Sequence, residues 1–126
     1  MLGRKLFVSA TDAAGAFTGR GMVSLGRARE ELSGFIEARA GGRAVFMVIS
    51  DHDGRIELRH GTDALTGIVT ARAARVAMLG GWLPAREAVV WRIERLDMDE
   101  AERIVAALYN LSGAAFRAQI MREMAR

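Results

Sequence analysis

The stretch Ala44 to His60 constrains the fold more than any other part of the chain. It reads Ala-Val-Phe-Met-Val-Ile-Ser, then Asp-His-Asp-Gly, then Arg-Ile-Glu-Leu-Arg-His. An apolar run, a polar turn ending in glycine and an alternating run make a β-hairpin. Val45 to Ile49 is apolar on both faces, whereas Arg55 to Arg59 is apolar on one, through Ile56 and Leu58. The first strand is expected to be covered on two sides and its neighbour on one.

At 126 residues the chain has the length of one domain, residues 1–126, and can bury a core without a metal or disulfides. It contains no cysteine, which excludes disulfides, thiolate metal sites and cysteine nucleophiles. That usage fits a reducing, cytoplasmic setting. No apolar run approaches the ~20 residues of a membrane helix. Arg4 and Lys5 precede only a short apolar stretch, Leu6 to Ala10, interrupted by Thr11 and Asp12, so the chain reads as unprocessed and soluble.

The sequence pI of about 10.5 overstates the charge, because the formal net charge is +3. The basic residues are arginines apart from Lys5, beside abundant alanine and glycine, as GC-rich coding would produce. Arginine keeps its proton to high pH and lifts the pI. The basic residues do cluster, around Arg4, Lys5 and Arg20 and again around Arg72, Arg75 and Arg86. If these converge they make a phosphate-binding patch; a solvated surface is the simpler explanation.

Leu6 to Ala10 reads as a short strand and Thr11 to Gly21 as a glycine-rich loop. Leu25 to Arg39 reads as a helix, with Leu25, Ala28, Leu32, Phe35 and Ile36 on one face and Arg27 placed to pair with Glu31. After the hairpin, Thr62 or Asp63 is expected to cap a second helix reaching Leu79, with Leu65, Ile68, Val69, Val76 and Leu79 as its stripe. Trp82, Leu83 and Pro84 form a connection. Ala88 to Leu96 is a one-faced strand, with Val89, Trp91 and Ile93 opposite Arg92 and Glu94. Asp97 and Glu100 form a capping-box pair before a helix carrying Ile104, Val105, Leu108 and Leu111, which Gly113 breaks or kinks. Phe116, Ile120, Met121 and Met124 continue an apolar stripe.

This order predicts an α+β fold with an antiparallel sheet. Its first six elements match the β-α-β-β-α-β pattern of ferredoxin-like domains, with additional C-terminal helices. That topology would put Val45 to Ile49 at a sheet edge, where a bare apolar strand is a liability. Asp51, His52, Asp53 and Gly54, following a helix and a strand, also look similar to the Asp-x-Asp-Gly-like turn of sensor-type domains of the roadblock, PAS or GAF kind. The likeness covers a short part of the chain, recurs in unrelated hairpins and assigns no family.

Candidate chemistry is sparse. Ser50, Asp51, His52 and Asp53 are nucleophile, base and acid types, but consecutive residues at a hairpin tip splay apart where a triad must converge. Asp, His and Gly also serve a tight turn for backbone reasons. His52 and His60, the only histidines, would lie roughly 17 Å apart at ~3.3 Å per residue, too far to share an ion. The glycine-rich loop lacks the G-x-G-x-x-G and P-loop patterns. No catalytic residue, metal site or cofactor is therefore expected.

The expectation is a non-enzymatic binding or regulatory module that acts through protein–protein contacts and self-associates, its partner being itself or another protein, with Val45, Met47, Trp82, Phe116, Ile120 and Met124 as interface residues. Nucleic-acid binding through Arg4, Lys5, Arg20, Arg72, Arg75 and Arg86 is the alternative, and a small enzyme using Arg, Asp and Tyr109 stands third. No membrane partner is expected.

Overall fold

The computed structural model describes residues 4–39, 42–50, 53–61, 64–72, 77–78, 81–82, 88–111 and 113–124. The chain begins with a hairpin of β1 (Leu6–Thr11) and β2 (Phe17–Val23). Its turn has a local cause. The Asp12 carboxylate accepts the backbone N–H groups of Ala14 and Ala16, and Gly15 takes φ +86°. Asp supplies the side-chain acceptor and Gly the left-handed backbone that the reversal needs. The segment expected to be a glycine-rich loop is thus mostly a strand.

Helix α1 (Leu25–Ala38) follows, with Ser24 as its N-cap and Arg39 closing it in the left-handed conformation. The expected Arg27–Glu31 pair forms at 3.1 Å. The hairpin of β3 (Phe46–Ser50) and β4 (Gly54–His60) is present, with Ser50 opposite Gly54. Next comes β5 (Leu65–Arg72), then a small pair, β6 (Ala77–Met78) with β7 (Gly81–Trp82), and the long β8 (Ala88–Leu96). Helices α2 (Met98–Asn110) and α3 (Gly113–Met124) end the chain. The expected capping box of Asp97 and Glu100 opens α2.

The large sheet is antiparallel throughout, in the order β2-β1-β3-β4-β5-β8. β2 and β3 both run antiparallel to β1, so they share a direction and flank it, with α1 as the crossover. This order is not that of a ferredoxin-like sheet. It also corrects the position of the apolar strand: β3 is central, hydrogen-bonded to β1 and β4, and needs no covering at an edge.

Within the span Thr62 to Leu79, expected as a second helix, Leu65–Arg72 form β5 and Ala77–Met78 form β6, while Thr62, Asp63, Val76 and Leu79 lie outside the described residues. Leu65, Ile68 and Val69 do fit a helical spacing. Leu65, Gly67, Val69 and Ala71 fit period two equally well, and all four are buried. The residues between them, Thr66, Ile68 and Thr70, are β-branched and stiff at χ1, which favours the strand.

One face of the sheet carries the core. Leu6, Val8, Phe46, Val48, Ile56, Leu58 and Val69 meet Leu32 and Phe35 of α1, Ile104, Val105 and Leu108 of α2, and Phe116 and Ile120 of α3. Trp91 and Ile93 are partly buried against this cluster, as their register predicts. A fully buried side chain of this size stabilises the fold by ~1.5–3 kcal/mol. His60 belongs to the same side: its ring stacks on Phe35 at 4.5 Å, and its Nε2 lies 2.7 Å from the Phe35 carbonyl oxygen. Among the described residues, no helix is long and apolar enough to cross a membrane, a statement that leaves strands aside.

Candidate functional site

The helices α1, α2 and α3 pack on the core face, so among the described residues nothing covers the opposite face of the sheet, and the strand registers define what it displays. One row across the strands reads Met22, Phe7, Ile49, Arg55, Thr70 and Val90. The next reads Arg20, Ser9, Met47, Glu57, Ile68 and Arg92. A solvated antiparallel face normally alternates to polar residues. Here β1 and β3 present Phe7, Met47 and Ile49, with Val45 beside them, and all four are half-buried by their neighbours alone. β3 is thus apolar on both faces, as expected, but only one face has a layer packed on it.

At the β2 end this face forms a cavity of about 400 Å³ between Phe7, Phe17, Arg20, Arg43, Met47 and Arg59. The Arg20 guanidinium carbon lies 4.9 Å from the centre of the Phe17 ring and 6.0 Å from that of Phe7. A guanidinium over a ring face is held by the ring quadrupole and still offers donors to solvent. Glu57, also in the wall, is flanked by two cations, Arg59 at 3.1 Å and Arg55 at 3.9 Å. Its charge is more than balanced, so the site has an apolar floor and a positive rim.

A second polar cluster stands at the end of the sheet and is a structural joint. Arg4 donates from Nε to the Tyr109 carbonyl oxygen at 2.8 Å and from Nη2 to the Leu108 and Leu111 carbonyl oxygens. It therefore caps the C-terminus of α2, where a cation also suits the helix dipole. Its Nη1 pairs with Asp53 Oδ2 at 2.7 Å. Asp53 accepts from Ser50 Oγ at 3.0 Å and from the backbone N–H of Gly113, the first residue of α3. One ion pair thus joins the end of α2 to the start of α3. The Tyr109 hydroxyl donates to the Val23 carbonyl oxygen at 2.9 Å, and burial pushes its pKa up against the Leu6 backbone hydrogen bond and the Arg4 charge. These groups are spent on one another, which favours a joint over the enzyme site that Arg, Asp and Tyr109 could suggest.

Burial by itself would raise the Asp53 pKa. The hydrogen bonds from Arg4 and Ser50, the Arg4 charge and the Gly113 N–H outweigh it and hold the carboxyl below its ordinary value. A depressed carboxylate adds stability above its unfolded pKa, and that stability is lost as pH falls through the folded pKa. Asp53→Asn is therefore expected to be less stable than the natural protein at neutral pH, with the gap narrowing as pH drops through the carboxylate range. Urea titrations at several pH values measure this, and a gap of constant size would refute the assignment.

The residues singled out from sequence do not form one site. Val45 and Met47 lie on the open face. Phe116 and Ile120 are buried in the core, which removes them from any docking surface of the single chain. Trp82 lies in β7 and Met124 ends α3. Among the cationic candidates, Arg4 is committed to the joint and Lys5 is exposed just before β1. Arg20 is on the open face, and Arg72 ends β5, across the sheet. Arg75, Arg86, Asp51 and His52 lie outside the described residues. Among the described residues, no three His, Asp or Glu side chains gather as metal ligands.

Phe7, Phe17, Arg43 and Arg59 were missed by the sequence reading. The available signal was Asp12 to Gly15 as a turn, followed by Phe17-Thr18 and Met22-Val23 as strand formers. No family model, no curated protein and no solved structure matches this chain.

Proposed function

We propose that this chain is a non-enzymatic binding module that docks another protein on the open face of its sheet. The observation that carries this reading is the apolar centre of that face, Phe7, Val45, Met47 and Ile49, on strands whose other side already supplies the core. Residues that stabilise no internal layer are the ones a partner covers. Arg20, Arg43 and Arg59 around the same area favour a partner with aliphatic side chains set among carboxylates.

A second reading has one specific support. Phe17 stands out from the sheet with Arg20 stacked on it, and a ring beside a guanidinium on a sheet face can hold an unstacked base. The interleaved aliphatic residues favour protein over nucleic acid.

One experiment separates the two. A displayed peptide library and an oligonucleotide pool are each selected on the purified chain and re-measured on Met47→Glu. Selection of acidic, aliphatic peptides that lose at least about tenfold in affinity with Met47→Glu supports the proposal, since a charge at the centre of an apolar contact costs more than 1 kcal/mol. Oligonucleotide binding that falls steeply with salt and depends on Phe17 would replace it with the second reading. Peptide binding indifferent to Met47→Glu would remove the open face as the site.

A further inference from the structure

β2 is an outer strand of the sheet, and it carries few of the devices that keep sheet edges apart. Such edges are normally guarded by lysine, proline, inward-pointing charge or a covering element. β2 reads Phe-Thr-Gly-Arg-Gly-Met-Val, and its one charged residue, Arg20, lies against Phe17. The opposite edge, β8, is guarded by exposed Arg92, Glu94 and Arg95. Phe17 and Met22, at the two ends of β2, are 59% and 61% exposed.

Two of the three inward positions of β2 also lack a side chain. The residues opposite the core positions Leu6, Val8 and Ala10 are Val23, Gly21 and Gly19. The two glycines project no side chain toward α1, and both line a cavity of about 200 Å³ beside the helix. The Glu31 carboxylate occupies the space over Gly19, where an added Cβ would lie 2.8 Å from Oε2. Arg27 lies next to it, paired to Glu30 at 3.2 Å and Glu31 at 3.1 Å.

We propose that β2 is a self-association edge, on which a second copy of this chain lays its own β2 antiparallel across a two-fold axis. The two sheets then become one, and the backbone groups along the outer side of β2 gain partners. An isologous contact requires a self-complementary patch, and the exposed apolar residues Phe17 and Met22 supply one. Antiparallel pairing brings the exposed Phe17 of each copy toward Met22 of the other. The same pairing leaves the two Arg20 residues near the axis, each guanidinium lying over the Phe17 ring of its own chain.

Sedimentation velocity of the full chain over about two decades of concentration tests this. A concentration-dependent dimer is expected. Gly19→Lys gives the edge an inward charge; its Cβ displaces the Glu31 carboxylate, the far end of a flexible side chain, which remains within reach of the new ammonium. This variant should weaken the dimer at least about tenfold with an unchanged circular dichroism spectrum. Met47→Glu, at the centre of the open face, should leave the dimer intact. Amide exchange over residues 17–23 should slow as concentration rises. If Gly19→Lys fails to fold, Met22→Lys carries the same test through an exposed side chain. A monomer at every concentration, or a dimer as tight in both edge variants as in the natural protein, overturns the proposal. So does a dimer lost with Met47→Glu and kept with Gly19→Lys. Failure here leaves the peptide-docking result on the open face untouched, and the reverse holds equally.

Discussion

Phe116→Ala is expected to destabilise the fold by about 3–5 kcal/mol. The Phe116 ring is fully buried in the core cluster, and among the described side chains of α3 the one other large residue as fully buried is Ile120. Removing the ring leaves a cavity between α3 and the start of β4, where the Phe116 ring stands over Gly54. Total stabilities of small domains are about 5–15 kcal/mol, so the loss is a large share of the whole. Phe116→Asp adds an unpaired buried charge and should leave little folded protein at 25 °C. Urea denaturation of the alanine variant checks this through a lowered midpoint at an unchanged slope. The effect should not vary with protein concentration, as it would if Phe116 lay in an interface. A loss below about 1 kcal/mol would mean that α3 does not pack as described.

Gly54→Ala is expected to cost about 2–6 kcal/mol, from backbone strain of ~1–3 kcal/mol together with overpacking of similar size. Gly54 opens β4 at φ +157°, close to the backbone of β5. A Cβ there would lie 2.3 Å from the Thr70 carbonyl oxygen and 3.2 Å from Cε2 of Phe116. The nearer atom is backbone in a central strand pair, so relief requires β4 and β5 to separate. For that reason the cost should largely persist in a Phe116→Leu background. Gly34→Ala is the control. Gly34 is an exposed residue within α1 whose added Cβ meets nothing within 4 Å, so the change should stabilise by up to about 1 kcal/mol. Thermal melts of the two alanine variants should therefore move in opposite directions. Equal shifts would refute the close approach at Gly54.

The legible parts of the fold were those whose local pattern admits one answer. Leu25 to Ala38 shows helical spacing with Ser24 ahead of it, and Ala88 to Leu96 shows clean period two. The capping box at Asp97 and the hairpin around Gly54 rest on interactions within a few residues. Two strands were not legible. β2 presents glycine at two of its three inward positions, Gly19 and Gly21, so it has little apolar alternation to read. β5 satisfies helical and strand spacing together, and pairing with β4 and β8 decides between them. The binding face suffered from the first of these failures, because Phe17 and Arg20 were assigned to a loop.

The sequence by itself determined the class of fold, the absence of thiol chemistry and an apolar surplus on Val45 to Ile49. These follow from composition and from contacts within a few residues. Only the tertiary structure decided which strand is an edge, because strand order depends on pairings distant in the chain, such as Phe7 with Ile49. It also decided the fate of the charges. Arg4 and Arg20 look alike in sequence, yet Arg4 is drawn onto the carbonyl groups that end α2 and onto Asp53, while Arg20 is left on an open face over Phe17. A guanidinium near unpaired carbonyl oxygens and a carboxylate is bound by them, whereas one near only aromatic carbon keeps its donors for a partner.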